Sequence, residues 1–288
     1  MAGLCSAGWA ALAQSSGPAL SIDAGANRHA ISPDIYGINF YWSMPAPTDP
    51  SYPAAAAAAQ AIRPVARRWG GNSTSTYHWK LDTYNHENDW FYEVLGDQMC
   101  SNCGWTAGNG TSFDQYADQA RTTGGKILAT VLVLGWLPKA NEQMCSFDVS
   151  RYGSNQCKID PYAQYHPMTC GDGIAYDPAC GDQTATDGKL PANPVYIVNH
   201  PTDDYAQYDQ TFQTQWIQNA LTRYGPANQG GIAIWSLDNE PIWWDGTHRD
   251  IHPNPNTYDE LFSVDLQYAQ AIKQADPTAL VGGPVNDN

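Results

Sequence analysis

At 288 residues, 42% of them apolar, the chain is long enough to bury a sizeable core in one large domain or two small ones. A formal net charge of −15 argues against nucleic acid and anionic membranes as partners, since both need a basic footprint. With 11 Trp and 17 Tyr against only 15% charged residues, the composition suits a neutral partner that has flat apolar faces and many hydroxyls, as a sugar ring does.

The first residues, "MAGLCSAGWAALAQSS", carry a short small-apolar run ending in Ala-Leu-Ala, the pattern read by signal peptidase, but lack a basic leading region. Residues 1–14 therefore read as a remnant signal peptide and 15–288 as the folded part, which places the protein outside the cell or in the periplasm. No apolar run approaches ~18 residues, so no membrane span is predicted. "ALSID" and "PDIYGINF" predict short strands, "YPAAAAAAQAI" a helix ending before Pro64, and "VARRWGG" a strand running into a Gly-Gly turn. Next, "FDQYADQARTT" predicts a helix opened by a Ser112–Gln115 capping box and stopped at Gly124. "KILATVLVLGW" is nearly all apolar, as a strand buried on both faces is. Four-residue spacing of Tyr208, Phe212, Trp216, Ala220 and Tyr224 predicts a helix over about residues 203–224. "GIAIWSLDNE" is a further buried strand, a Thr257–Glu260 capping box opens a helix running to about Ala275, and "ALVGGPV" is a final strand.

Besides Cys5 there are Cys100, Cys103, Cys145, Cys157, Cys170 and Cys180, in polar, Gly/Asn-rich surroundings that predict disulfides formed in an oxidising compartment. Pairing of neighbours (100 with 103, 145 with 157, 170 with 180) is the simplest connectivity. "CSNC" lies in a loop, which argues against a redox pair or a zinc site. Four of the cysteines fall in the long segment from Gly135 to Asp203, which follows a buried strand and should stand on the face where α/β sites are built.

Alternating strand and helix signals predict an α/β fold with a parallel sheet. Strands around Val65, Leu132, Ile234 and Val281, with "IYGINF" as a fifth, amount to half to five-eighths of a (β/α)₈ TIM barrel. The expectation is a barrel truncated directly after a strand.

Asn239-Glu240-Pro241 closes a buried strand at its carboxyl end, where barrel enzymes place catalytic residues. Trp235, Trp243, Trp244 and Asp238 nearby in sequence predict desolvation and like charge that favour a protonated Glu240, as a general acid requires. In "DGTHRDIHP", His248, Asp250 and His252 alternate, and an extended chain would put them on one side, so a metal-dependent hydrolase is the competing reading.

Asn-Glu-Pro at a strand end resembles the acid/base signature of retaining glycosidases built on (β/α)₈ barrels. "RRWGGNSTSTYHW", "VLVLGWLPKAN", "SLDNEPIWWDGTHRDIHP" and "TYDELF" together resemble glycoside hydrolase family 44, endoglucanases and xyloglucanases with a barrel plus a small β-sandwich. The resemblance implies that the N-terminal strands belong to that sandwich, that Glu240 is the general acid/base and that Asn239 holds the sugar 2-hydroxyl. It places Arg68 near the nucleophile, Trp69 and Asn72 in a glucan-contacting loop, and His248 in a substrate loop. Trp243 and Trp244, directly after the acid, lead the candidates for sugar stacking. The implied partner is a β-glucan met by a monomer, with no cofactor required and a structural calcium left open. A retaining enzyme also needs a second carboxylate ~5 Å from the first. In the family resembled it lies well downstream of Asn-Glu-Pro, and the internal candidates, Asp245, Asp250, Glu87, Asp89 and Glu260, end no recognisable strand. The expectation is a chain without its nucleophile, with little or no turnover and poor solubility. A non-catalytic carbohydrate-binding fragment is the other class that fits.

Overall fold

The computed structural model describes residues 21, 23–39, 66–96, 108–180 and 193–286. By internal contacts the chain divides into two units, Met1–Ser32 and Pro33–Asn288. The first holds a turn in which the Asp23 carboxylate accepts from Gly25 N and its carbonyl from Ala26 N. The expected signal peptide, the Ala-rich helix and the Cys100–Cys103 pair lie outside the described residues.

The second unit is organised by a five-stranded sheet of β1 (Gly37–Asn39), β2 (Ala66–Trp69), β3 (Lys126–Val131), β4 (Ile232–Leu237) and β5 (Leu280–Gly282). All neighbours are parallel and follow chain order, so each strand lies beside the one before it. This singly wound order is the one barrels use, and it differs from the reversing order of doubly wound sheets. Helices α1 (Ser112–Thr122), α2 (Gln210–Tyr224) and α3 (Tyr258–Ala275) fill the crossovers from β2 to β3, β3 to β4 and β4 to β5. Among the described residues no helix is long and apolar enough to cross a membrane.

Several boundaries differ from the sequence reading, and for three of them the local reason is plain. The β3 strand stops at Val131 because the next free amides, Val133 N and Leu134 N, turn to the Asp238 carboxylate at 2.7 and 3.2 Å. The capping box of α1 is Thr111 with Asp114, one residue early, because Asp is short enough to reach back to Thr111 N at 3.1 Å. Helix α2 begins only at Gln210, capped by Asp209, because Tyr205–Gln207 pairs as a strand with Trp136–Pro138. Thr257 caps α3 through Glu260 N, but the Glu260 carboxylate reaches His252 instead of closing the box.

The core is aromatic. Phe212, Trp216, Ile217, Ala220 and Tyr224 form the buried stripe of α2. Trp216 stands edge-on to Phe113 at 4.8 Å and to Trp235 at 5.5 Å, and Trp69 meets Phe113 at 5.5 Å and Tyr77 at 5.3 Å. The segment between β3 and α2 is folded down by small antiparallel pairs and by disulfides Cys145–Cys170 and Cys157–Cys180. Neighbour pairing of these cysteines is therefore corrected. The Asp148–Cys170 bridge and the bond from Gly171 N to Phe147 O carry Cys170 back beside Cys145, so the two links interleave.

Because Trp216 touches both the helix layer and the sheet, Trp216→Ala should lower stability by about 3–5 kcal/mol, read as a fall in the urea midpoint at unchanged slope.

Candidate catalytic site

Strand β4 ends at Leu237, and the chain then takes two left-handed residues around Asn239: Asp238 at φ 57° and Glu240 at φ 44°. Such backbone costs roughly 1–3 kcal/mol per non-glycine residue and persists only where neighbours hold it. Here they do. Asp238 N donates to Val131 O at 2.9 Å, and one carboxylate oxygen accepts from Ser75 Oγ and from Asn239 N at 2.8 Å. The other oxygen takes Val133 N and Leu134 N. Burial nevertheless pushes the Asp238 carboxyl up to about 6, with those hydrogen bonds pulling the other way. Glu240 N donates to Val285 O at 2.6 Å, and Trp243 N donates to Glu240 O at 2.8 Å. The Trp244 indole donates to Asn239 O at 3.2 Å, and the Asn256 amide donates to Pro241 O.

The result is a half-buried Glu240 beside a braced amide. Asn239 Oδ1 accepts from the Arg68 guanidinium, while Nδ2 donates to Asn72 Oδ1 at 3.0 Å and to Glu240 Oε2 at 3.2 Å. The Arg68 guanidinium folds back over Gly70, where a Cβ would overlap it, so the glycine in "RRWGG" makes room for the arginine. Glu240, Asn239, Arg68 and Asn72 thus come together from β4, β2 and the turn after β2. Asp238 and Trp235, expected beside the Glu240 carboxyl, face elsewhere: Asp238 holds Ser75 and the end of β3, and Trp235 is core.

The remaining sequence candidates separate by exposure. Trp69 is closed in by Tyr77, Phe113 and Tyr116 and offers no face to a ligand. Trp244 is buried as a brace for Asn239 O. His248 is also buried, and burial together with neighbouring His252 pushes its imidazole down to about 3, so it is neutral. Trp243 is 51% exposed and lines a cavity of ≈ 500 Å³ with Tyr196, Asn199, Asp245, Arg249 and Pro253. A second cavity of ≈ 490 Å³, which includes Trp90 and Asp172, shares the wall of Tyr196, Asp245, Gly246 and Arg249.

Arg249 was not foreseen. Its guanidinium sits 4.4 Å from the Tyr196 ring and 5.1 Å from Phe147, and it donates to Asp172 O at 2.9 Å. Its signal lay inside "THRDIHP", behind the more conspicuous His and Asp residues.

The metal reading of those residues is corrected. Residues 248–252 form a turn, with Ile251 N and His252 N both on His248 O, so side chains do not alternate. Asp250 bonds Ser146 Oγ at 2.6 Å and His252 bonds Glu260 at 3.0 Å, and the three do not form a convergent group. Ser146 Oγ also meets Asp204, and burial raises both carboxyls of that pair. Glu87 is buried and raised as well, first by desolvation and then by Asp89 and Asp250. None of the internal nucleophile candidates hydrogen-bonds Glu240 or Asn239.

A parallel sheet that presents an amide-braced carboxylate at the carboxyl edge of its strands defines the class, an α/β protein with the kind of polar site enzymes build there. More narrowly, the chain belongs to glycoside hydrolase family 44, whose family model matches residues 83–287. It is 25% identical over 272 residues to beta-mannanase/endoglucanase A of Caldicellulosiruptor saccharolyticus and 23% identical over 275 residues to endoglucanase A of Paenibacillus lautus. Each alignment covers 92% of this chain, but the chain spans only 16% and 31% of those two relatives. Among solved structures it is similar to CelM2, a bifunctional glucanase-xylanase from a metagenome library, at 30% identity and a TM-score of 0.68, over 90% of this chain and 43% of that one. A Paenibacillus polymyxa xyloglucanase shares the fold at 23% identity and a TM-score of 0.54, over 90% of this chain and 42% of its own.

The Asp238 carboxyl titrates near 6 in the folded chain against ~3.9 unfolded, so the native state holds the proton more tightly. Its contribution to stability is therefore greatest below about pH 4 and falls as pH rises from about 4 to about 6. Asp238→Asn should flatten that part of the profile, measured as urea midpoints across the pH range.

Proposed function

We propose that this chain is part of a retaining endo-β-1,4-glucanase or xyloglucanase in which Glu240 is the general acid/base. The observation that carries the reading is the Asn239 side chain, which ties Arg68, Asn72 and Glu240 together at the carboxyl edge of the sheet. In the proposed reaction Glu240 protonates the glycosidic oxygen as the bond to the anomeric carbon breaks, then as carboxylate takes a proton from the incoming water. Asn239 Nδ2, beside that carboxyl, holds the sugar 2-hydroxyl, and Trp243 offers its exposed face to a ring in the adjoining cavity. A second carboxylate, about 5 Å away, attacks the anomeric carbon.

Asp250 and Glu260 are engaged elsewhere, none of the candidates hydrogen-bonds Glu240, and the relatives are two to six times as long as the matched stretch, so we place the nucleophile on a part of the enzyme outside the described residues. Arg68, already on Asn239, is placed to keep it ionised. This chemistry needs no cofactor. The substrate class follows the names of the relatives, endoglucanases and a xyloglucanase solved with xyloglucan. Two disulfides support a secreted, oxidising location, and a neutral polysaccharide partner fits an acidic monomer.

Assayed alone on xyloglucan and carboxymethylcellulose, the 288-residue chain should turn over little or nothing. Robust turnover abolished by Glu240→Gln would show a nucleophile within it. In the longer enzyme, Glu240→Gln should lower kcat on polymer about 10²–10⁴-fold and harm aryl glycosides with good leaving groups much less. Trp243→Ala should weaken oligosaccharide binding about 2–10-fold with kcat little changed, read by titration calorimetry and steady-state kinetics. Glucan binding by the isolated chain without turnover would favour the carbohydrate-binding fragment.

A further inference from the structure

Away from Asn239 and Glu240, three side chains converge under the cross-linked segment. Glu93 stands on the short strand Glu93–Leu95, opposite Cys145. Asp160 follows the Ile159–Gly171 bridge, and its N–H donates to Cys170 O at 2.9 Å. His166 ends the turn Ala163–Tyr165. One ligand atom from each lies within 4.8 Å of the others, with His166 Nδ1 3.2 Å from Asp160 Oδ2 and 3.7 Å from Glu93 Oε2.

The Glu93 side chain is fully buried, and neither of its carboxylate oxygens has a hydrogen-bond partner; Asp160 Oδ2 and His166 Nδ1 meet no partner outside this cluster. The Gln143 amide beside Glu93 is taken up by Met168, accepting from its N–H at 2.8 Å and donating to its carbonyl at 3.3 Å. A buried carboxylate with no donor is costly, and a second carboxylate alongside makes it more so. A cation resolves both. We propose that Glu93, Asp160 and His166 bind a zinc ion that fastens the residue 157–170 segment to the strand of Glu93.

The imidazole decides the class of ion, because nitrogen with carboxylate oxygen suits zinc and its transition-metal neighbours, whereas calcium takes oxygen ligands alone. The two separations from His166 Nδ1, 3.2 and 3.7 Å, are close to the ~3.3 Å between ligand atoms that lie about 2.0–2.1 Å from tetrahedral zinc. His166, with a quarter of its side chain exposed, leaves an entry path and room for a fourth ligand from water. The site also reaches the cavities, since Tyr92, next to Glu93, donates to Gly246 O at 3.0 Å and lies against Arg249.

The test is thermal unfolding of the chelator-stripped 288-residue chain with added zinc, beside Glu93→Gln, Asp160→Asn and His166→Ala. Zinc at about a hundredfold excess over Kd should raise Tm by about 5–10 °C in the wild type. The rise should vanish in each variant and survive in Glu240→Gln. Glu93→Gln keeps the side-chain shape and removes the buried charge, so it should fold at least as stably as the stripped wild type while losing the response. Cobalt substituted for zinc should show the visible absorption of a four-coordinate site, lost in His166→Ala. An absent zinc response, a response undiminished in the variants, or a response to calcium alone would overturn the assignment.

Discussion

The candidate site depends on one buried carboxylate. Asp238 accepts from Ser75, Val133, Leu134 and Asn239 at once, so it joins the turn after β2, the end of β3 and the end of β4 at a single point. Each partner supplies a donor that would otherwise need water, and a carboxylate is the side chain with acceptor sites enough for all of them. The two left-handed residues that aim Asn239 and Glu240 are held by this junction and by Val285 across the parallel bridge. The desolvation of Asp238 opposes the fold, and the hydrogen bonds it gathers offset much of that cost.

Beneath the junction, the aromatic core gives the sheet edge its rigidity. Trp69, Phe113, Trp216 and Trp235 meet edge to face across β2, α1, α2 and β4, so Arg68 and Asn239 project from strands packed on the same rings. The segment between β3 and α2 buries its ends, at Leu132–Leu134, Leu137 and Tyr205, in the same core. Between them, Met144 and Phe147, short antiparallel pairs, interleaved disulfides and the Arg249 stack hold its shape. A wall built this way has its shape set by cross-links and turns, and it can vary without disturbing the sheet.

Much of this was legible in the amino-acid order. The parallel α/β pattern, the strands β2 to β5, the buried stripe of α2 and the grouping of Asn239 with Glu240 and Arg68 all follow from periodicity, Gly and Pro punctuation and one family resemblance. What escaped was set by tertiary contact. The early end of β3 needs Asp238, more than a hundred residues away. The cysteine pairing needs a bridge at Asp148, and the fate of Trp69 and Trp244 depends on which side of a strand end faces the core. His248, Asp250 and His252 misled for the same reason, since alternation points side chains one way only in an extended chain, and here the backbone turns.

The Asn239 amide shows how the arrangement sets chemistry by exclusion. An amide offers one carbonyl and one NH₂, and nothing in its shape says which end faces a cleft. Arg68 decides it, because a guanidinium has donors only, so the carbonyl must turn to it and the NH₂ toward Asn72 and Glu240. Both N–H groups are then already engaged. In the proposed reaction a sugar hydroxyl must therefore displace one of these acceptors. Either way, a hydroxyl that binds Asn239 rearranges the hydrogen bonds to Asn72 or Glu240, and the Arg68 bond keeps the amide from turning over as it does so.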